Sequence, residues 1–298
     1  MYETFYGLKE KPFSLLPDPG FLFLSRKHST AYAMLQYGIS QQAGFVVIAG
    51  EVGSGKTTLI RHLLNHLEEN VTVGLISNTH ASFGELMQWV ALAFNLEYKG
   101  REKVELFAEF QQFIIDEYAA GRRTVLIIDE AQNMSVETLE ELRMLSNINA
   151  DKDQVIQLIL VGQPELRTTL RRPQLRQFAQ RVSVAYYLES LTNEETGEYI
   201  RHRLRVTGGD EDLFTEDAIR LVYQYSEGVP RVINSLCDTA LVYGFAEQTH
   251  RIDAAVIEEV TRDKSQSGLF GDALPGEEEE TAEQDAAAPD TTHKLHRL

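Results

Sequence analysis

The sequence of 298 residues lacks the features that mark an exported or membrane-inserted protein. It contains one cysteine, Cys237, so an intrachain disulfide is excluded. The apolar helical pattern around Cys237 predicts a small buried side chain rather than a reactive thiol. The first residues have no basic region followed by an apolar core, as a signal peptide would. No run of about 18 apolar residues could span a bilayer. We therefore expect a cytoplasmic protein with no transmembrane segment of its own.

Basic residues are scarce as well: the sequence contains 28 Lys and Arg but 45 Asp and Glu, which gives a net charge of −17. Eight of the acids lie in residues 272–298, where few apolar residues occur. This composition predicts a disordered acidic tail over residues 266–298. The remaining chain is still acidic, which does not favour a broad nucleic-acid surface, although a local basic patch is compatible with it.

Residues 50–57 read Gly-Glu-Val-Gly-Ser-Gly-Lys-Thr, with an apolar run before them and a helical pattern after them. Strand, glycine-rich loop and helix is the context in which this spacing indicates phosphate binding. Backbone N–H groups and the helix dipole would face a phosphate, Lys56 would reach the β- and γ-phosphates, and Thr57 would ligate Mg²⁺. The candidate nucleotide contacts here are Gly50, Gly53, Ser54, Gly55, Lys56, Thr57 and Thr58.

A second motif is the apolar run 125–128 that ends in Asp129 and Glu130. In a P-loop site, an acid at a neighbouring strand end holds the Mg²⁺ shell, and the next acid orients and deprotonates the attacking water. We assign these roles to Asp129 and Glu130. On its own the pair is also compatible with an ordinary acidic loop, so the assignment depends on the phosphate loop upstream.

Apolar runs alternate with helical patterns through the first two thirds of the chain. The runs cover residues 45–49, 71–76, 125–128, 155–161 and 182–187, and the helical patterns cover 56–69, 83–95, 104–120, 136–147 and 164–178. This alternation predicts an α/β fold with a parallel sheet covered on both faces. After Leu191 only helical patterns follow.

The predicted organisation has four parts. An aromatic and proline-rich arm (1–25), which we expect to be extended and to pack on the main domain, precedes a P-loop α/β domain (26–190). An all-helical lid domain (191–265) and the acidic tail follow. Capping-box spacing at residues 192–195, Thr-Asn-Glu-Glu, marks the first lid helix.

Three polar residues complete the list of candidates. Gln163 follows the fourth strand, where ligand-facing residues collect, but it is equally compatible with a turn before a proline. Arg181 precedes the last strand and could reach the γ-phosphate of a neighbouring subunit, whereas the other arginines nearby are typical of a solvated face. Arg231 lies in the first turn of a lid helix, where a cation opposes the dipole; this favours a phosphate partner, with a surface ion pair as the alternative.

These motifs together resemble an AAA+ ATPase. More closely, the chain is similar to the general secretion pathway protein A (ExeA-like) group over residues 1–265. The resemblance is carried by Met-Tyr-Glu-Thr-Phe-Tyr-Gly-Leu at 1–8, Lys-Pro-Phe at 11–13, Pro-Asp-Pro at 17–19, the loop 50–58, Ile-Asp-Glu-Ala-Gln-Asn at 128–133 and Val-Gly-Gln-Pro-Glu-Leu at 161–166.

The resemblance implies a five-stranded parallel sheet of order 5-1-4-3-2, a helical lid, ATP and Mg²⁺ as cofactors, and nucleotide-dependent homo-oligomers. It gives Gln163 the sensor-1 place, which is more often Asn, Thr or Ser, Arg181 the arginine-finger place and Arg231 the sensor-2 place. Longer members of the group continue into a membrane span and a peptidoglycan-binding domain. Here an acidic tail follows instead, so we expect no direct binding to the cell wall.

The expected function is that of an ATP-hydrolysing protein that drives or regulates assembly of a cell-envelope complex for secretion, pilus formation or exopolysaccharide export. Its expected partner is an inner-membrane or envelope assembly protein, which would place it peripherally at the inner membrane. The alternatives are a DNA-associated AAA+ ATPase, such as a transposition regulator or helicase loader, and a slow nucleotide-gated signalling module. A helicase would need a second RecA-like domain, which residues 191–264 do not offer.

Overall fold

The computed structural model describes residues 1–77, 85–150 and 153–266. Five strands form one parallel sheet: β1 (Phe45–Gly50), β2 (Val71–Ile76), β3 (Arg123–Ile128), β4 (Ile156–Gly162) and β5 (Val182–Leu188). Their spatial order is β2-β3-β4-β1-β5. This is the predicted order 5-1-4-3-2 counted from the other edge, so the fold prediction is confirmed. The phosphate loop follows β1 near the middle of the sheet, and Asp129 follows its second neighbour, β3.

Seven helices accompany the sheet within the described residues. They are α1 (Arg26–Ser40), α2 (Lys56–Asn65), α3 (Leu86–Ala93), α4 (Lys103–Ala119), α5 (Val136–Leu145), α6 (Pro164–Leu170) and α7 (Arg176–Ala179). The sheet is buried on both faces, because one apolar cluster joins it to α3, α4, α5 and α6 and another joins it to α1 and α2. The continuous apolar strands follow from this double coverage.

The helix expected over residues 164–178 is wrong as a single element. The structure has α6, then a 3₁₀ turn over Pro173–Leu175, and then the short α7. Proline has no N–H to donate, and its ring clashes with the preceding turn, so Pro173 starts a new element rather than continuing a helix.

The C-terminal region is helical, as predicted: α8 (Asn193–Val206), α9 (Glu216–Ser226), α10 (Pro230–Ala246) and α11 (Ala254–Gln266). Thr192 and Glu195 form the expected capping box at the start of α8. Cys237 is fully buried in α10, and burial raises the pKa of its thiol. Beyond Gln266 the predicted acidic tail lies outside the described residues.

We expected the N-terminal arm to pack on the α/β domain, but its apolar residues pack chiefly on the helical region. Tyr2, Leu8 and Phe13 belong to the apolar cluster of the helical region. Tyr2 donates a hydrogen bond to Asp238, and the Lys9 amide donates to the Thr207 carbonyl at 2.9 Å. The expectation failed because aromatic side chains require a surface to cover but do not specify which one.

Within residues 1–77, 85–150 and 153–266, none of the helices combines the length and the hydropathy that a membrane crossing requires.

Candidate functional site

The loop after β1 curls tightly enough to need two of its glycines. Gly53 has φ +79° and Gly55 φ +96°, conformations that side chains with a Cβ rarely adopt. A Cβ on Gly53 would also lie 2.5 Å from the Cβ of Arg231. The loop therefore closes directly onto the start of α10. Inside it the Ser54 hydroxyl is buried and has no hydrogen-bond partner among the described residues.

Lys56 is the first residue of α2, and its side chain is only 7% exposed. Its ammonium donates to the carbonyls of Gly50 and Glu51, both at 2.8 Å. Burial lowers the pKa of Lys56, and the charges of Glu130 and Asp129 oppose that shift. The ammonium is thus held over the loop by backbone oxygens that a phosphate could replace as acceptors.

Thr57 and Asp129 bring the loop and the end of β3 together. The Thr57 hydroxyl donates to the Asp129 carboxylate at 2.8 Å, and the Glu130 amide donates to the same carboxylate at 2.9 Å. Burial raises the pKa of Asp129, and these two hydrogen bonds oppose that shift.

A hydroxyl and a carboxylate oxygen fit Mg²⁺, which prefers oxygen ligands. In P-loop sites Mg²⁺ completes its shell with nucleotide phosphates and water rather than with protein side chains. Among the described residues, no group of three or more His, Cys, Asp or Glu side chains is placed to hold a metal ion.

The Glu130 carboxylate is positioned by two glutamines. Its Oε2 accepts from the side-chain amide of Gln132 at 2.5 Å and from that of Gln163 at 3.2 Å. The Gln132 side-chain oxygen also accepts from the Gln163 backbone amide at 3.0 Å. Glu130 itself has φ +56°, a left-handed conformation that turns the chain sharply after β3. Sequence analysis did not select Gln132, although it lies two residues after Glu130 within the motif.

Seven of these residues line one cleft. Its loop side includes Gly53, Gly55, Lys56, Thr57 and Thr58, and Glu130 and Gln163 lie beside them. Another part of the lining was not predicted. It comes from the arm, with Ser14, Leu15, Leu16, Pro17 and Asp18, and from the helical region, with Tyr199, Arg203, Pro230 and Asn234.

The two candidate arginines lie in different places. Arg231 borders the cleft, is exposed, and its backbone amide donates to the Gly53 carbonyl at 3.2 Å. Arg181 directly precedes β5, and the seven residues of this strand span roughly 20 Å. Arg181 therefore lies at the opposite end of the strands from the phosphate loop of its own chain. There Arg181 donates to the Ser146 hydroxyl at 2.7 Å. The structure brings Arg231 to the site but leaves Arg181 remote from it.

His28 contacts the loop and also lines the cleft, and no sequence signal had suggested it. It is 4% exposed, and its Nε2 lies 2.9 Å from the Ser54 carbonyl oxygen, while Nδ1 lies 2.8 Å from the Ser25 hydroxyl. A neutral ring that donates from Nε2 and accepts at Nδ1 satisfies both contacts. Burial lowers the pKa of His28, which the Ser54 contact and the charge of Glu195 partly oppose, while Lys27 reinforces the shift.

We expect the stability difference between the wild-type chain and His28→Gln to depend on pH. As the pH falls below about 6.5, the unfolded wild type protonates residue 28 before the folded state does, so its free energy of unfolding drops by up to about 1.4 kcal/mol per pH unit. The variant lacks this loss. Thermal unfolding at pH 7.5 and 5.5 should therefore show a wild-type advantage that shrinks at the lower pH; a constant difference would contradict the assignment. His62 and His202, whose pKa values burial also lowers, are present in both proteins and cancel.

Comparison with known proteins assigns the chain to one family. A family model described as an AAA domain matches residues 39–170. General secretion pathway protein A of Aeromonas hydrophila is 40% identical over 253 residues, which are 85% of this chain and 46% of that protein. The chain therefore spans about half the length of the curated relative that it matches.

Solved structures agree on the fold. Cdc6p from Pyrobaculum aerophilum has a TM-score of 0.63 at 15% identity, covering 88% of this chain and 72% of that one. The ORC2 protein of Aeropyrum pernix, solved in ADPNP and ADP complexes, has a TM-score of 0.61 at 14% identity, covering 83% of this chain and 71% of that one. At such low identity these likenesses show the fold alone.

Proposed function

The chain is an AAA domain protein related to general secretion pathway protein A, and on that premise we propose that it is a Mg²⁺-dependent ATPase serving the assembly of a cell-envelope secretion complex. One observation carries the ATPase proposal: Thr57 of the phosphate loop is hydrogen-bonded to Asp129 at 2.8 Å, with the Glu130 carboxylate in the same cleft. The secretion role is supported by the similarity to the A. hydrophila protein.

In this proposal the loop and α2 bind the phosphates of ATP. Lys56 exchanges the carbonyls of Gly50 and Glu51 for β- and γ-phosphate oxygens, and the loop amides donate to the same groups. Thr57 and Asp129 would hold Mg²⁺, which supplies positive charge to the phosphate oxygens when bound. Thr58 and the exposed Arg231 line the same cleft and would contact the phosphates as well.

Glu130 acts on the attacking water. Its carboxylate accepts a proton as the water oxygen bonds to the γ-phosphorus and the bond from that phosphorus to the β–γ bridging oxygen breaks, leaving ADP and phosphate. Gln163 and Gln132 hold the carboxylate in place through their side-chain amides. Gln163, which lies at the end of β4, would couple the presence of the γ-phosphate to the position of that strand.

We propose that residues 26–190 form the nucleotide domain and that residues 191–265 form a lid. The lid contacts the loop through the Arg231 amide, so its position depends on what the loop holds. A nucleotide-dependent homo-oligomer would add Arg181 of a neighbouring subunit to the γ-phosphate. This arrangement would act on the cytoplasmic side of the envelope, where ATP is available, through an inner-membrane partner.

Arg181→Ala is expected to lower ATP turnover by about 10³-fold or more, because an arginine supplied in trans stabilises charge in the transition state. Mixing this variant with Lys56→Ala subunits, which keep Arg181, should restore turnover by placing an intact arginine beside an intact loop. Phosphate release measured across mixing ratios tests this. Arg176→Ala, an exposed arginine of the same segment, serves as control; a mixture no more active than its components would contradict a finger acting in trans.

A DNA-associated ATPase remains the second candidate because of one observation. The segment 167–181 carries five arginines and no acidic residue, and three of them, Arg171, Arg172 and Arg176, are exposed and make no ion pair among the described residues. Such a local basic patch could contact phosphates of a duplex.

Phosphate release by the purified chain tests both candidates. Mg²⁺-dependent hydrolysis that duplex DNA leaves unchanged at both 50 and 200 mM salt would support the envelope role. Stimulation by DNA at low salt that disappears at high salt would favour the DNA role, since counterion release makes such binding steeply salt-dependent. No hydrolysis under any condition would overturn the proposed ATPase.

The client can be sought with a variant that binds ATP without turnover. Glu130→Gln, introduced into the native host and cross-linked before purification, should retain an envelope assembly protein that Lys56→Ala does not retain. Recovery of the same proteins with both variants would show that the association does not depend on nucleotide.

A further inference from the structure

Arg203 of α8 is a buried cation that has no acidic partner in the described part of the chain. Its side chain is 6% exposed, and no carboxylate forms an ion pair with it among the described residues. The guanidinium instead donates to the Pro12 carbonyl, to the Ser14 carbonyl at 3.4 Å and to the Tyr199 hydroxyl at 2.8 Å. It also lies over the Phe21 ring, 4.6 Å from the centroid. Burying a charge is costly unless its donors are satisfied, and here most of the satisfaction comes from the backbone of the arm.

A second residue of the helical region forms a hydrogen bond with the same part of the arm. The Asn234 side chain, in α10, donates to the Ser14 carbonyl at 3.4 Å and accepts from the Tyr199 hydroxyl at 2.9 Å. Three residues further along the arm, the Pro17 carbonyl accepts from Arg61 of α2 at 2.7 Å. Hydrogen bonds therefore hold the segment 14–17 to the lid helices α8 and α10 at one end and to α2, which follows the phosphate loop, at the other.

This segment forms part of the wall of the cleft that the phosphate-loop residues also line. Leu15, Leu16 and Pro17 line it, and Pro230 lies on the lid side. Apolar surface of this kind suits the flat face of a base rather than a charged group. Lys56 and Thr57 line the same cleft, so a nucleotide whose phosphates are held by the loop would leave its nucleoside half to contact other lining residues.

We propose that Arg203 is a positioning residue for the nucleoside half of the ligand. By holding the carbonyls of Pro12 and Ser14 it fixes the wall against which the base packs. The same bonds tie that wall to the lid, so binding of the base and position of the lid depend on each other. This inference rests on the proposed function, since it requires a nucleotide in the cleft. A polyphosphate without a nucleoside would bind the loop without engaging the wall.

The test compares a ligand that has a nucleoside with one that does not. Isothermal titration of the full chain would give dissociation constants for Mg·ATP and Mg·tripolyphosphate. Arg203→Met keeps the stem and removes the donors; it should weaken Mg·ATP about tenfold or more, as expected for loss of several hydrogen bonds from a charged donor. Mg·tripolyphosphate should change less than about twofold, because its contacts are with the loop. Arg203→Lys, which retains one donor group, should lie between.

Arg205→Met is the matched control, because Arg205 is on the same helix but exposed and paired with Glu211. It should leave both dissociation constants unchanged. If Arg203→Met does not fold, as judged by its thermal transition, Arg203→Lys and Asn234→Ala decide by the same criterion. Equal weakening of both ligands, or unchanged affinity for Mg·ATP, would overturn the inference. Failure of the wild type to bind Mg·ATP would instead overturn the proposed function, and the inference with it.

Discussion

Lys56→Ala is expected to abolish measurable nucleotide binding. The ammonium is buried at the start of α2 and already aimed over the loop by the carbonyls of Gly50 and Glu51. Removing it deletes a side-chain cation held inside the loop and leaves those two carbonyls without their donor. Hydrogen bonds to charged groups contribute about 1.5–3 kcal/mol each, so losing two phosphate contacts should weaken Mg·ATP by about 10²-fold or more.

Isothermal titration with Mg·ATP measures this loss directly. Lys103→Ala is the matched control, because Lys103 is an exposed lysine that pairs with Glu141 at the start of another helix, α4. It should bind like the wild type. Thermal unfolding without nucleotide should show that Lys56→Ala still folds, and added Mg·ATP should stabilise the wild type only. Affinity of Lys56→Ala within about threefold of the wild type would remove Lys56 from the site.

Local signals in the sequence were sufficient to predict the sheet and to select the phosphate loop and Asp129 as parts of the site. The apolar runs around residues 45–49 and 125–128, alternating with helical patterns, identify strands, and parallel strands place their carboxyl ends at one edge. Thr57 and Asp129 were therefore expected at the same edge of the sheet once both strands belonged to it. The similarity to general secretion pathway protein A confirms the resemblance inferred from the same motifs.

Contacts between distant segments were not predictable in the same way. His28 meets the Ser54 carbonyl 26 residues away, and Arg203 meets the Pro12 carbonyl 191 residues away. Neither pair leaves a periodic pattern, since each depends on where helices pack rather than on what precedes or follows in the chain. The arm was misplaced for the same reason. Gln132 is intermediate: its position next to Glu130 is local, but its bond to the Gln163 amide depends on β3 and β4 being neighbours.

Glu130→Gln is expected to bind Mg·ATP within about threefold of the wild type and to hydrolyse it about 10²–10⁴-fold more slowly. The amide keeps the size of the side chain and retains an oxygen that can accept from Gln132 and Gln163. It cannot accept a proton from the attacking water, so the loss falls on the chemical step. Asp129, whose carboxylate holds the Thr57 hydroxyl and the backbone amide of residue 130, is unchanged, which preserves the proposed Mg²⁺ ligands.

Single-turnover phosphate release and titration with Mg·ATP separate the two effects, because the first reports chemistry and the second reports binding. Glu137→Gln provides the control: this exposed carboxylate lies in the first turn of α5, a few residues beyond the site, and its loss should leave turnover intact. Unchanged hydrolysis by Glu130→Gln would show that another group accepts the proton. Loss of binding together with turnover would instead make Glu130 part of the nucleotide contact, with Gln132 and Gln163 supporting affinity rather than catalysis. The pair of measurements therefore tests why two amides hold one carboxylate at the end of β3.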